Sequence, residues 1–233
     1  MELIIPAAGL STRFPNMKPK YLLSDDAGVI MIKNAVGKLI EKYPAHIAIL
    51  KEHDEKYQAS ETLRSLFGNR INIIILDSPT KGPAETVYRI IRSACITGSF
   101  FIKDCDNYWT AETIEEENAV WTGCLRDNPY MTNVAAKSYV VANNQSIITS
   151  IIEKQVVSED FVAGGYQFIN AVDYCEEYQY VSKTVNGEIF VSSIIDSMLA
   201  KGTIFIRRTV SNFVDVGTLK DWEDYNKHFV QVK

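Results

Sequence analysis

A short aliphatic run, Leu3-Ile4-Ile5-Pro6, opens into Ala7-Ala8-Gly9-Leu10-Ser11-Thr12-Arg13, and Lys20 follows behind Pro19. A strand that ends in two alanines and a glycine leaves backbone N–H groups uncrowded and able to cradle phosphate oxygens. Arg13 can make forked contacts to a phosphate, and Lys20 adds a point charge on a proline-stiffened loop. At a triphosphate, two such cations would offset charge building on the α-phosphate and on a departing pyrophosphate. A polar β–α connection with solvated basic residues is the plainer use of the same segment.

Acidic residues supply the complementary half. Asp104-Cys105-Asp106-Asn107 follows the buried-strand run Phe100 to Lys103, and Asp215 ends the apolar run at Phe213-Val214. In open α/β sheets the carboxyl ends of strands are where ligands bind. Hard oxygen ligands there suit Mg²⁺, which takes one or two carboxylates plus substrate phosphates. The carboxylates of Asp104 and Asp106 on one side and Asp215 on the other could therefore hold one metal jointly. Taken alone, Asp106 would serve equally as a helix cap or an Asx turn.

These segments together resemble the nucleotidyltransferase family of sugar-1-phosphate pyrophosphorylases and bacterial choline-phosphate cytidylyltransferases. The family pattern is a strand, Ala-Ala-Gly-x-Gly-x-Arg, then Pro-Lys and an aliphatic residue. Here it falls on Ala7, Ala8, Gly9, Arg13 and Pro19-Lys20, with Ser11 at the second glycine and a shortened span between Arg13 and Lys20. The strand-end aspartate falls on Asp106, and the late Asp-x-Gly-Thr motif on Asp215-Val216-Gly217-Thr218. The resemblance implies transfer of a nucleotidyl group from a nucleoside triphosphate (NTP) to a small phosphorylated acceptor, with Mg²⁺. A sugar 1-phosphate for surface polysaccharide synthesis is the leading acceptor and phosphocholine the alternative. Arg13 and Lys20 would be catalytic, and Ala7, Ala8 and Gly9 would hold the nucleotide. Gly82 and Glu85 would lie at the base, Glu85 tilting the choice slightly toward CTP or GTP, although a carboxylate there also suits a helix N-terminus. Glu153, Lys154 and the glycine-bearing strand at Gly165 would hold the acceptor. Two other readings stand beside this one. Asp104-Cys105-Asp106 is also the Asp-x-Asp pattern of metal-dependent nucleotide-sugar glycosyltransferases, and a non-catalytic nucleotide sensor could keep such a pocket.

The elements that must position these residues alternate in the first half. Leu3–Pro6, His46–Leu50, Ile71–Leu76 and Ser99–Lys103 read as strands, the third as one covered on both faces. Helices are expected over Val29–Lys42, from an Asp54 cap to Phe67 before Gly68, and from Pro83 to about Ala94. The second half reads as a hairpin, Thr132–Ala142 and Ser146–Gln155, turning at Asn143-Asn144. A strand follows over Phe161–Ile169, helices over Ala171–Val181 and Glu188–Lys201, a strand over Thr203–Val210 and a last helix capped by Thr218. The expected fold is a single α/β/α three-layer domain over residues 1–233 with a mixed, mainly parallel central sheet. Residues 1–110 would form its nucleotide half and residues 111–233 its acceptor half.

Composition limits the alternatives. With 24 basic against 29 acidic residues the net charge is −5, so the chain lacks the basic footprint of a nucleic-acid binder. No run approaches the roughly 18 apolar residues of a membrane helix, and Met1 leads straight into a strand, so no membrane segment or signal peptide is expected. Cys95, Cys105, Cys124 and Cys175 are scattered without metal or disulfide spacing, which fits a cytoplasmic protein. His46, His53 and His228 also lack ligand spacing, and surface or capping roles are expected of them. Oligomeric state is left open by the sequence.

Overall fold

A computed structural model describes residues 1–111, 114–129, 131–181, 185 and 187–230. The first half of the chain builds a parallel sheet. Strand β1 (Glu2–Pro6) pairs in parallel with β2 (Ala45–Leu50) on one side and β4 (Phe100–Lys103) on the other. Strand β3 (Ile71–Leu76) extends the sheet beyond β2. The crossovers are α1 (Met31–Ile40), the pair α2 (Lys51–Tyr57) and α3 (Ala59–Phe67), and α4 (Pro83–Ala94). Strands β7 (Ser138–Ala142) and β8 (Ile148–Glu153) form a hairpin joined to the sheet where Tyr139 pairs with Phe161. Strand β9 (Asp160–Phe168) runs antiparallel between β4 and β6 (Ala119–Cys124), and β10 (Ile206–Thr209) closes the far edge. The order is β10-β6-β9-β4-β1-β2-β3, the expected mixed sheet.

Period-2 side chains explain the layers. Ile4, Phe100 and Ile102 face one side, where α4, α5 (Ala171–Tyr180) and α6 (Val191–Ala200) pack through Ile90, Tyr174 and Ile194. Leu3, Ile5 and Phe101 face the other, covered by Ile32 and Val36 of α1 and Leu63 of α3. A small third cluster joins Phe14, Leu23 and Met31 to Val216 and to Trp222 of α7 (Leu219–Tyr225). The last helix is capped as expected, Thr218 Oγ1 accepting from the Asp221 N–H at 3.2 Å.

Several expected elements differ. The Asp54–Phe67 helix is two helices, broken at Gln58, whose φ of +52° is left-handed. Asp54 still caps, but across the break, accepting the Ser60 N–H at 2.7 Å on the second helix. Strand β3 is an edge strand with Ile75 47% exposed, because α4 returns the chain past β1 to β4. The hairpin turn is longer than two residues: Asn143 Oδ1 accepts from the N–H groups of Gln145 and Ile147. Helix α6 starts at Val191 because Phe190 before it is extended, and Ile189 is held outside the helix, donating to Lys81 O at 2.6 Å and accepting from Ala84 N at 3.2 Å. The Thr203–Val210 run is shorter, and beyond it lies β11 (Ser211–Asp215), which pairs antiparallel with β5 (Asn107–Thr110) in a separate two-stranded sheet. His53 is buried beside Tyr21, 3.4 Å from its hydroxyl. Among the described residues, no helix is long and apolar enough to cross a membrane.

Candidate active site

Neighbouring parallel strands deliver the two halves of the site. Ile4 of β1 is in register with Ile102 of β4, so the glycine loop and the Asp104–Asn107 turn leave the same sheet end side by side. Between them and the β7–β8 hairpin lies a cleft of about 710 Å³. Gly9 lines it, and a side chain there would project into open space, so the gap belongs to the cleft and not to internal packing. Ser11, at the family's second glycine, adopts φ +53° and accepts the Lys20 N–H on Oγ at 3.1 Å. The serine thereby ties Lys20 back onto the shortened loop.

Lys20 Nζ lies 2.5 Å from Asp106 Oδ2, and Arg13 lies 3.9 Å from the same oxygen. The Arg13 side chain is 54% exposed and Lys20 19%, so Arg13 is the cation free to follow a ligand. Burial opposes charge on both members of the lysine–aspartate pair. Their mutual attraction wins, holding Asp106 far below the usual carboxylate range and Lys20 above the usual lysine value.

Asp215 arrives through β11, where it stands opposite Asn107 of β5. Its Oδ1 accepts the Gly217 N–H at 3.0 Å, and its Oδ2 is 2.5 Å from Lys137 Nζ. A methyl on Gly217 would meet Asp106 Oδ2 and Asp215 Oδ1 at 3.0 Å each. The two carboxylates thus flank one point, each already facing a lysine ammonium. Asp104 differs: it packs against Gly164, where a side chain would come within 2.6 Å of its Oδ2. Burial and the charge on Asp106 both raise its pKa.

The remaining expected residues divide. Glu153 and Lys154 line the cleft. The Glu153 carboxylate accepts from the hydroxyls of Ser138 and Ser192. Lys154 sits 4.0 Å from Glu188 and over the Phe190 ring at 4.4 Å. Ala7, Ala8 and Gly82 line it as well. Gly82 answers to a packing demand: at φ +123°, a side chain would approach Ile189 O within 2.6 Å. Glu85 does not line the cleft. Its carboxylate accepts the Lys81 N–H at 2.7 Å and Arg89 at 2.6 and 2.9 Å, the ordinary use of an acid in a first helical turn. Gly165 does not line it either; its missing side chain makes room for Trp109 and Trp121, and Gly164 is the glycine on the cleft.

Two residues escaped the sequence reading. Lys137, just before β7, lacks any local signal because its meaning depends on Asp215. Lys103 carries one: a lysine closing an otherwise apolar strand. It is 1% exposed, and burial lowers its pKa to about 8.

The same fold occurs in solved nucleotidyltransferases. The nucleoside-diphosphate-sugar pyrophosphorylase from Vibrio cholerae RC9 superposes with a TM-score of 0.81 at 19% identity, covering 97% of this chain and 100% of that one. The inositol-1-phosphate CTP transferase from T. maritima gives 0.74 at 14% identity, over 98% and 96% of the two chains. A UDP-glucose pyrophosphorylase complexed with UDP-glucose gives 0.78 at 14% identity, over 100% and 99%. No protein-family model matches the chain. No curated protein matches it.

Proposed function

We propose that the chain transfers a nucleotidyl group from an NTP to a small phosphorylated acceptor, foremost a sugar 1-phosphate, and releases pyrophosphate. The observation that carries this reading is the meeting of Asp106 and Asp215 about Gly217, with Arg13 and Lys20 on one carboxylate and Lys137 on the other. Cradle, paired acids and Lys154 share one cleft, as joining a triphosphate to an acceptor phosphate requires.

Asp106 and Asp215 fit a Mg²⁺ ion: both are carboxylates at one point, and both already draw positive charge toward it. Bound there, the ion would neutralise charge on the phosphates. The chain's own groups do the rest. The N–H groups beyond Ala8 cradle the triphosphate. An acceptor phosphate oxygen attacks the α-phosphorus in line, and the bond to the pyrophosphate oxygen breaks. Lys20 and Arg13 offset the charge that moves onto the leaving group. Lys154 holds the acceptor phosphate. With Glu85 turned onto Arg89, base selection falls to the wall at Pro79, Thr80 and Gly82.

The test is pyrophosphate release with Mg²⁺ across CTP, UTP, GTP, ATP and dTTP against sugar 1-phosphates and phosphocholine. Release that needs one nucleotide and one acceptor, and vanishes in Asp106→Ala, is the expected result. Nucleoside diphosphate release from a nucleotide sugar would assign a glycosyltransferase instead, and tight binding without turnover a sensor.

A further inference from the structure

Lys103 ends β4, and its ammonium is wholly inside the protein. A lysine has three N–H donors. Here they meet Asp104 O at 2.8 Å, Asn107 O at 3.0 Å and Asn107 Oδ1 at 2.5 Å. The Trp109 ring centroid lies 5.1 Å from Nζ, and Trp109 is itself fixed by its indole N–H on Ala163 O at 2.7 Å. Among the described residues, no carboxylate lies within ion-pair range of this ammonium, so its bonds go to the backbone and one amide. Burying a charge on such terms is costly, and an aliphatic residue would have continued Phe100-Phe101-Ile102 into the core at no such cost.

The location of those oxygens gives the lysine its task. Asp104 and Asn107 bracket Asp106, so one ammonium clamps both ends of the turn that aims this carboxylate. Asn107 is also the residue opposite Asp215 in the β5–β11 ladder, and Val216 N donates to Asp106 O at 3.0 Å. Lys103 therefore holds, through Asn107, the backbone that carries both acids.

We infer that Lys103 is a positioning residue for the divalent-cation site, setting the separation of Asp106 from Asp215 from behind without touching the ion. This rests on the proposed role of those two aspartates. The ammonium also places positive charge close to two partly buried acids, Asp104 and Asp106.

The experiment titrates Mn²⁺ alone, by electron paramagnetic resonance, into the parent chain, Lys103→Met, Asn107→Ala and the double variant. The Trp109 indole N–H resonance reports that the local fold persists. Each single variant is expected to bind Mn²⁺ about 10–100-fold more weakly with the indole signal in place, and the double variant no more weakly than either single. Should Lys103→Met fail to fold, Asn107→Ala carries the test by itself, because it removes the side-chain acceptor Oδ1 and keeps the lysine with its two carbonyl partners. Affinity within twofold of the parent in a folded single variant overturns the inference, as do losses that multiply in the double variant. A parent that binds no Mn²⁺ defeats the metal reading itself, and this inference with it, which separates the two failures.

Discussion

Lys137 Nζ lies 2.5 Å from Asp215 Oδ2, the same separation that Lys20 keeps from Asp106. Two lysines from distant segments thus neutralise two acids from distant segments, and the pairs face each other across Gly217. The lysines play unequal parts under the proposed reaction, since Lys20 shares its aspartate with the exposed Arg13 beside the phosphate cradle. Replacing Lys20 by Met is expected to lower kcat for pyrophosphate release about a hundred- to a thousand-fold, as expected for loss of a transition-state charge partner. Steady-state kinetics with the matched substrate pair checks this, and a variant within threefold of the parent would remove Lys20 from the chemistry.

Gly217 tests whether the two acids act on one ion. A methyl there meets a carboxylate oxygen from each side at 3.0 Å and must push at least one of them aside. Gly217→Ala should raise the Mg²⁺ concentration for half-maximal turnover by about 10–100-fold, with the melting temperature little changed. An unaltered Mg²⁺ dependence would mean that the acids do not share a ligand.

Lys154 is assigned to the acceptor. It lies near Glu188 and over Phe190, on the same cleft as Asp106 and Asp215. Lys154→Met is expected to raise the acceptor's KM by about ten- to a hundred-fold while leaving the KM of the nucleotide near its parent value. The reverse pattern would exchange the two ends of the cleft.

Gly82 makes a prediction about stability. Its φ of +123° and the 2.6 Å approach to Ile189 O leave no space for a side chain. Gly82→Ala should cost about 1–3 kcal/mol from backbone strain, visible as a lower urea midpoint, with more lost if Ile189 is displaced.

Away from the cleft, Glu177 of α5 accepts Lys201 Nζ at 2.6 Å and the Ser197 hydroxyl of α6. Burial alone would raise its pKa, but these bonds prevail and bring it below the ordinary 4.5. The stabilisation is therefore fully present above the unfolded value and fades as pH falls through the lower folded one. At neutral pH Glu177→Gln should lose roughly 1–2 kcal/mol, held to that by the half-exposed Lys201. The gap from the parent should close in acid, as thermal unfolding from pH 7 down to pH 3 would show.

Local chemistry made part of this legible in the sequence. Gly9, Arg13, Lys20, Asp106 and Asp215 stand in short segments where residue type, spacing and strand end point the same way, and the fold brings them together. Lys137 was hidden because a lysine before a strand acquires meaning only from a partner far along the chain. Gly165 was one residue from the glycine on the cleft, and in a strand adjacent residues face opposite sides. Glu85 was ambiguous because a helix start and a nucleobase make similar demands on a carboxylate. Edge and centre also look alike in a single strand: Ile71–Leu76 is as aliphatic as the buried β2, and only the sheet order leaves it open. Of strand β11 the sequence shows only the apolar pair Phe213-Val214 before Asp215, because its partner, β5, is a four-residue strand with little periodicity of its own.

The antiparallel β9 between β4 and β6 has a consequence for how the chain is made. As it emerges from the ribosome, β1 to β4 can assemble early into a parallel sheet, but the free side of β4 waits for a strand that begins only at Asp160. Until then a row of unpaired amides beside Phe101 is open to any other extended segment, including one from a neighbouring nascent chain. The second acid comes later still, from β11, so a polypeptide stopped anywhere before it would own a phosphate cradle with half of its cation site.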